Sequence, residues 1–467
     1  MNISRRNFVG GVLAAGAMSG LSGCATKAAA SLNPTQKVRL ACVGIGCQAW
    51  NDIVEFMKTG ECVIAALCDT DLGGKQTLNA LKTYAGVPKF RDFRKMYDEM
   101  DGKIDAVLVG TPDFSHFCAT MEAIRRGIPV YVEKPLAHTF YECELLMQAE
   151  KKYKGICQMG NQGHSGANPY QMGEYVEKGI IDVSKLTRVV AHMNNPRRWH
   201  KWNGNVKSFP VGEKIPETLD WDLWLSQALP HAYSKDFVQG EWRCWYDFGM
   251  GCLGDWGAHT MDTMHRFFDL GLPSEVKIDN VKGWNPYVYP MQDTLTFTFD
   301  AKGKRPKIDL EWYEGISNIP RLPEGYKYLA WGGDIPPATG STAKAAQKLI
   351  PGRFFELSDG SAWEGGSHSA TLLKIGVAKE DLPAYTQPKS NHWKNFLMAV
   401  KGEETVNSPF SRTAPLSQVF CLGVIAQRLN RNIKFDPSTK RVVGDDIADA
   451  LLRGPAPRKG WESYYTI

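Results

Sequence analysis

Two short stretches of this sequence carry side chains whose types and spacing suit chemistry. In Gly254-Asp255-Trp256-Gly257-Ala258-His259-Thr260-Met261-Asp262 an aspartate and a histidine stand four positions apart, and residues 256–268 read as a helix. On a helix, positions i and i+4 share a face, so the Asp255 carboxylate can orient and charge-balance the His259 imidazole. An imidazole held that way can take up and return the proton of an alcohol. A capping Asp255 with a structural His259 is the plainer alternative. Asp262 either supports His259 or faces solvent, and His265 reads as structural. His259, Asp262 and His265 lack the spacing of a zinc site, so no metal is expected. The second stretch is Gly44-Ile45-Gly46-Cys47-Gln48-Ala49. In a G-x-G-x-x-A run the first glycine permits a tight turn. The second lets backbone approach a pyrophosphate resting on the next helix N-terminus, and the alanine lets that helix pack close to the strand.

The elements that must position these residues alternate. The apolar run 38–43 is of strand length and feeds the glycine turn, 50–58 can be helical, and 63–68 is a second buried strand ending at Asp69, 25 positions after Gly44. An acid there accepts hydrogen bonds from ribose hydroxyls and repels a 2′-phosphate, which favours NAD over NADP. Asp71 can share the role, Lys75 blurs the discrimination, and a helix-capping Asp69 is the alternative. Strands at 104–109, 130–132 and 156–159 alternate with helices at 114–126 and 140–153. That pattern implies a parallel sheet whose ligand lies beyond the carboxyl ends of its strands. Asp69, Thr111, Lys134 and Asn161 all fall at such ends. Asn161 and His164 occupy the loop Met159-Gly160-Asn161-Gln162-Gly163-His164, which either lines the same pocket or reflects turn geometry alone. Strand-like runs continue at 186–193, 276–284, 294–299 and 308–313, so the second half reads as α+β, and 314–390 reads as long loops or an insertion. Seven tryptophans fall between 199 and 256, with Arg197, Arg198, His200 and Lys201 among the first two. Aromatic faces stack on the C–H faces of sugars, so the cluster is expected at a substrate cleft or an interface, with Trp245 the candidate substrate contact. Core packing is the alternative for any one of them.

Four motifs in order, G-x-G-x-x-A at 44–49, GTPDFSH at 110–116, EKPLA at 133–137 and GDWGAHTMD at 254–262, resemble the Gfo/Idh/MocA oxidoreductase family. The likeness runs over roughly 37–270, and the tail, 392–430 with the closing RKGWE, is similar to exported members. The resemblance implies an α/β Rossmann domain followed by an α+β C-terminal domain with a large, mostly antiparallel open sheet. It implies bound NAD and a sugar, glycoside or cyclitol substrate. It places Lys134 near the nicotinamide and the reacting hydroxyl, where an ammonium hydrogen-bonds the hydroxyl and steadies a developing alkoxide; partial burial would lower its pKa. It makes Asp255 and His259 substrate and proton-transfer residues. Cofactor contacts fall to Gly44, Gly46, Ala49, Asp69, Thr111, Pro112, His116, Glu133, Lys134 and Asn161, and substrate contacts to His164, Asp255, His259 and Trp245. Without the motif, Lys134 would read as a surface lysine at a strand end.

Three functions follow. The first is a dehydrogenase moving hydride between NAD and a ring carbon, with Lys134 and His259 managing the hydroxyl proton. The second is a redox-neutral glycosidase, similar to NAD-dependent α-N-acetylgalactosaminidases that oxidise, eliminate, hydrate and re-reduce; those differ where this chain has GDWGAHTMD. The third is a non-catalytic sugar-binding lipoprotein, against which the intact Gly44, Gly46, Lys134 and His259 argue.

The chain of 467 residues is long enough for two domains with ample cores, and its composition is that of an ordinary globular protein. The expected division is a leader and tether over 1–33, the NAD-binding domain over 34–157 and the substrate and oligomerisation domain over 158–467. The net charge of +5 includes Arg5, Arg6 and Lys27, and without a dense basic tract nucleic acid is not an expected partner. Ser4-Arg5-Arg6-Asn7-Phe8 and the short apolar run after it look like a twin-arginine export signal, which carries folded proteins out with cofactor already bound. A tightly held NAD and a place at the cell envelope or in the periplasm are therefore expected. Leu21-Ser22-Gly23-Cys24 resembles a lipoprotein processing site, so membrane attachment through a lipidated Cys24 is expected; a plain cleaved leader is the alternative. The other cysteines sit largely in apolar runs and read as buried thiols. A homo-oligomer, dimer or tetramer, completes the expectations.

Overall fold

The computed structural model describes residues 35–194, 206–327 and 349–467. The leader with Cys24, and Arg197, Arg198, Trp199, His200, Lys201 and Trp202, lie outside the described residues.

The first sheet is built from six strands, Val38–Val43 (β1), Cys62–Cys68 (β2), Lys89–Phe90 (β3), Ala106–Val109 (β4), Val130–Glu133 (β5) and Cys157–Gly160 (β6). They lie in the order β3-β2-β1-β4-β5-β6, every neighbour parallel. Near-continuous apolar runs such as Val38-Arg39-Leu40-Ala41-Cys42-Val43 form these strands because helices cover both faces and no solvent face demands alternation. Strand order reverses between β1 and β4, and a crevice opens there beyond the strand ends. Three expected elements fall close to place: helix Phe140–Tyr153, opened by a Thr139–Glu142 capping box, helix His116–Arg125, and helix Cys47–Lys58. The sheet takes in β6 to Gly160.

The second sheet has nine strands: Leu186–Met193 (β7), Glu275–Lys282 (β8), Gln292–Phe299 (β9), Ile308–Glu314 (β10), Gly352–Leu357 (β11), Ala362–Gly366 (β12), Leu373–Lys374 (β13), Ile433–Asp436 (β14) and Arg441–Val442 (β15). Their order is β13-β12-β11-β7-β10-β9-β8-β14-β15; β7 and β10 are parallel and the other pairs antiparallel. Three of these strands, β11 to β13, lie inside the stretch read from sequence as loop or insertion, because their glycines and short length hide the strand period. The helix expected at 256–268 is two helices, Gly251–Thr260 and Asp262–Phe267, separated at Met261.

Helix Gly251–Thr260 carries Asp255 and His259, and its position follows from two glycines. A Cβ on Gly257 would come 2.7 Å from the Phe420 ring, and one on Gly423 2.5 Å from Leu253. The long helix Phe410–Leu429 thus lies directly against it, and both pack on the sheet. The tail returns to the first domain: Phe396, Leu397 and Met398 share a core with Val38, Leu40, Phe56 and Leu108, and the Trp461 ring lies 5.9 Å from Phe93. Nine of the ten described cysteines are buried, Cys47 being the exposed one.

Candidate active site

A cleft of about 220 Å³ runs along the crevice from the turn after β2 to Lys134 at the end of β5. Its floor is the glycine turn. Gly44 has φ +82°, and a Cβ there would lie 2.6 Å from the carbonyl oxygen of Gly110. Helix Cys47–Lys58 starts at Gly46 with no side-chain cap, so its first amides are open to the cleft. Ala49 does not line the cleft. It is fully buried against Gly110, where a Cβ would meet its own Cβ at 2.6 Å, and so sets how close helix and β4 approach.

Asp69 faces the cleft from the end of β2. Its Oδ2 accepts from the Ile45 amide at 3.0 Å and its Oδ1 from the Asp71 amide at 2.9 Å, which fixes the carboxylate as an acceptor platform. Burial pushes its carboxyl up to about 6. Asp71 spends Oδ1 on the Gly74 amide.

Thr111, Pro112, Asp113, His116, Glu133 and Lys134 line the other end. His116 holds two strand ends together, its ring nitrogens 2.8 Å from the carbonyl oxygens of Pro135 and Thr111, and burial pushes its imidazole down to about 4. Glu133 accepts from Gln162 Nε2 at 2.8 Å; burial beside Asp52 pushes its carboxyl well up. Lys134 Nζ donates to Asp255 Oδ1 at 2.8 Å and to the Asp255 carbonyl oxygen at 3.0 Å. Arg243 Nε lies 3.6 Å from the same carboxylate oxygen. The geometry brings Lys134 of the first domain and the Asp255–His259 helix of the second to one point. Asp255 sits in the second turn of its helix and pairs with Lys134, so it is no cap.

Three expectations are corrected. Trp245 is core: it is 1% exposed, its indole N–H donates to the Asp236 carbonyl oxygen at 3.0 Å, and its ring packs on Phe237. Among the described residues the indoles at the cleft are Trp224 and Trp242, the latter under the Arg243 guanidinium. Periodicity could not separate inward from outward tryptophans because 206–250 holds only short turns of helix. His164 is not at the cleft: it is buried, with Nδ1 2.7 Å from Asp262 and Nε2 3.0 Å from Arg266, so it braces the second domain internally. Asp262 thereby supports His164, not His259. Asn161 is fully buried at the end of β6 outside the cleft lining, and its side-chain amide has no hydrogen-bond partner among the described residues. His265 is structural as expected, its Nε2 2.8 Å from the Gly271 carbonyl oxygen.

Sequence reading also missed residues. Asp113, inside the quoted GTPDFSH motif, accepts from the Met250 amide at 3.0 Å; burial pushes its carboxyl up to about 7, against the pull of Arg243 and Lys134. His368, between β12 and β13, stacks on His259 with ring centroids 4.0 Å apart. The segment 216–243, of which the sequence singled out only Trp221, Trp224 and Trp242, forms the cleft's second wall. It is clasped to the first domain by pairing of Leu219 with Asp71, by Asp220 N–H on the Thr70 carbonyl oxygen at 2.9 Å, and by Arg91 Nη1 on the carbonyl oxygens of Thr70 and Thr218.

Comparison with known proteins agrees with this arrangement. Residues 38–161 match the Gfo/Idh/MocA model for an oxidoreductase-family NAD-binding Rossmann fold, and 168–309 match that family's C-terminal alpha/beta domain, together more than half of the chain. The chain belongs to the Gfo/Idh/MocA oxidoreductase family. An inositol 2-dehydrogenase of Burkholderia multivorans is 24% identical over 298 residues, 63% of this chain and 77% of that protein. One from Arthrobacter sp. is 30% identical over 119 residues, and a glycosyl hydrolase family 109 protein of Shewanella pealeana is 24% identical over 149. These two matches cover 25% and 31% of this chain, and only about a third of the length of either protein. The fold is shared with the Caulobacter crescentus aldose-aldose oxidoreductase solved with glycerol: TM-score 0.54 at 16% identity, over 86% of this chain and all of that one. The Bordetella pertussis WlbA dehydrogenase, solved with NADH and UDP-GlcNAcA, gives 0.55 at 14%, over 86% and 99%.

Proposed function

We propose that this Gfo/Idh/MocA protein uses NAD to oxidise or reduce a ring hydroxyl of a sugar, glycoside or cyclitol. The observation that carries the reading is the pairing of Lys134, at the end of the cleft opposite Asp69, with Asp255 on the helix that also bears His259. NAD fits the residues lining it: uncapped helix amides for the diphosphate and the Asp69 carboxylate for the ribose. Bound there, NAD supplies the hydride acceptor. Asp255 holds the Lys134 ammonium in place, Lys134 donates a hydrogen bond to the substrate oxygen and steadies it as an alkoxide, and His259 takes the hydroxyl proton. The clasp at Thr70 and Leu219 supports tight cofactor retention, as an enzyme exported already loaded would need.

The test is to purify the protein with its cofactor and follow nicotinamide absorbance and carbonyl formation across a cyclitol and glycoside panel. Lys134→Ala should bind NAD as before and lose turnover. Oxidation unchanged in Lys134→Ala would overturn the assignment. The family 109 match gives the redox-neutral glycosidase a specific claim as second reading: release of aglycone without net NADH is its signature. Export through Arg5-Arg6, lipidation at Cys24 and self-association belong to the same proposal. They are checked by radiolabelled acyl incorporation with Cys24→Ala as control, and by the sedimentation mass.

A further inference from the structure

Arg243 lines the cleft beside Lys134, yet neither the cofactor residues nor the Lys134–Asp255 pair uses its donors. It sits on a single turn of helix, Glu241–Cys244, in the wall that the second domain contributes. The backbone there is clamped. Gln239 and Gly240, with φ +57° and +92°, lead the chain into that turn, and a Cβ on Gly249 would lie 2.6 Å from the Arg243 Cα. The guanidinium rests over the Trp242 ring, 4.1 Å from its centroid. Main chain and side chain are thus held in place before a ligand arrives.

Among the described residues no hydrogen bond runs from this guanidinium. Its Nε is 3.6 Å from Asp255 Oδ1, too far for one, and that oxygen already accepts from Lys134 Nζ at 2.8 Å. The side chain is 17% exposed and lines the cleft, so its N–H groups are open to a ligand there. A guanidinium is a planar fork, and two parallel N–H groups match the two oxygens of a carboxylate. Charge points the same way. Lys134 and Arg243 are both cations and share the one Asp255 carboxylate. The other acids at this end, Asp113 and Glu133, are driven towards their neutral forms by burial. The end of the cleft therefore carries net positive charge, which a hydroxyl does not answer and an anion does. Because Lys134 and Arg243 both approach Asp255 Oδ1, a single sugar can span them, with a hydroxyl on the ammonium and a carboxylate on the fork.

We propose that Arg243 is a specificity-determining residue that binds a carboxylate of the substrate, so that the preferred substrate is a sugar acid, a hexuronate or its glycoside, and not a neutral sugar or cyclitol. This rests on Lys134 being the partner of the reacting hydroxyl. The ring carbon gives its hydride to NAD and the hydroxyl releases its proton, leaving a ketone and reduced nicotinamide; the carboxylate is only held and stays unchanged.

The test uses the NAD-loaded protein with methyl hexuronides of gluco, galacto and manno configuration, each beside its uronamide and its parent hexoside. The amide keeps the size of the carboxylate and removes its charge. For the wild-type protein, kcat/KM on the acid should exceed that on either neutral analogue about 10-fold or more, since a charge-assisted bidentate contact is at stake. In Arg243→Gln the acid-to-amide ratio should fall to near one. In Arg243→Lys, which keeps the charge and loses the fork, it should fall part of the way. Any loss caused by disturbing Asp255 falls on acid and amide alike and cancels in the ratio. Calorimetric titration of the same hexuronides into the loaded protein reads binding apart from turnover, and Arg243→Gln should weaken it about 10-fold with NAD affinity unchanged. A wild-type protein indifferent to the charge, an unchanged ratio in Arg243→Gln, or an equal weakening of NAD overturns the proposal. Hexuronides that do not bind overturn it too, whether or not a neutral polyol is oxidised. Hexuronides held through Arg243 but never oxidised leave the subsite standing and sink the dehydrogenase reading instead.

Discussion

The Lys134–Asp255 contact joins the two domains at the reacting end of the cleft, and its worth can be worked out from the structure. The charges are 2.8 Å apart with both side chains 10% exposed. At an effective dielectric near 20, the attraction is about 6 kcal/mol before the cost of desolvating both groups. That cost offsets most of the gain, so the pair adds little net stability, but removing one partner leaves a buried charge and typically costs about 3 kcal/mol. The two single variants should differ. Asp255→Asn leaves Lys134 and the Arg243 guanidinium, 3.6 Å from the lost carboxylate oxygen, without their anion, and should cost about 3 kcal/mol. Lys134→Met leaves Asp255 facing Arg243 and should cost about 1–2 kcal/mol. In the double variant the lysine charge is gone and only Arg243 lacks its anion, so the cost should fall short of the sum by about 2 kcal/mol. Urea unfolding of the four proteins at pH 7 without NAD measures the cycle. Additivity within about 0.5 kcal/mol would mean that the pair is incidental to the domain contact.

Asp69→Ala should weaken NAD binding about 10-fold or more, since a charge-assisted hydrogen bond is lost, and should narrow the preference for NAD over NADP; isothermal titration of both cofactors checks it. Because the Asp69 carboxyl is pushed up to about 6, protonation below that pH removes the acceptor. NAD affinity should therefore fall as pH drops through 6 in the wild type and stay flat in Asp69→Asn. Asp113 is raised to about 7 from an unfolded value near 3.9, so its contribution to stability is complete at low pH and is lost as pH rises towards 7. Asp113→Asn cannot ionise and should show a shallower fall in melting temperature between pH 4 and 7. Arg91→Ala removes the bonds that tie Thr70 to Thr218 and should speed NAD release several-fold with little change in kcat, read by stopped-flow displacement.

The first domain was legible because its physics is local. A buried parallel strand must be apolar along its length, and a diphosphate turn needs Gly44 and Gly46. Lys134, Asp255 and His259 were singled out through motif order, and the structure adds the contact between Lys134 and Asp255. Three kinds of feature were not legible. β11 to β13 are short and glycine-rich, so their period is weak. The tryptophans of 206–250 lie in short turns, where sequence offers no inward or outward phase, and Trp245 was misplaced for that reason. His368 is about a hundred residues from His259 in sequence, and only the pairing of β11 with β7 brings its turn back to the site.

The same comparison explains why the site needs both domains at once. On the proposed function the first domain supplies a phosphate turn, an acid for the ribose and a lysine, but its crevice is open on one side. The second domain closes that side with 216–243 and brings the carboxylate that orients the lysine. The Asp255 carboxylate is held by cations from both domains, Lys134 from the first and Arg243 from the second, while Asp113 of the first accepts from the Met250 amide of the second. Opposite charges thus converge at a place where the domains register to within a hydrogen-bond length. The helix bearing Asp255 and His259 is in turn pressed against Phe410–Leu429 through Gly257 and Gly423, where any larger residue would displace it. The catalytic geometry is thus a product of domain packing, and a substitution far from the cleft at either glycine would act on turnover by moving the helix, without touching a single residue that meets the substrate.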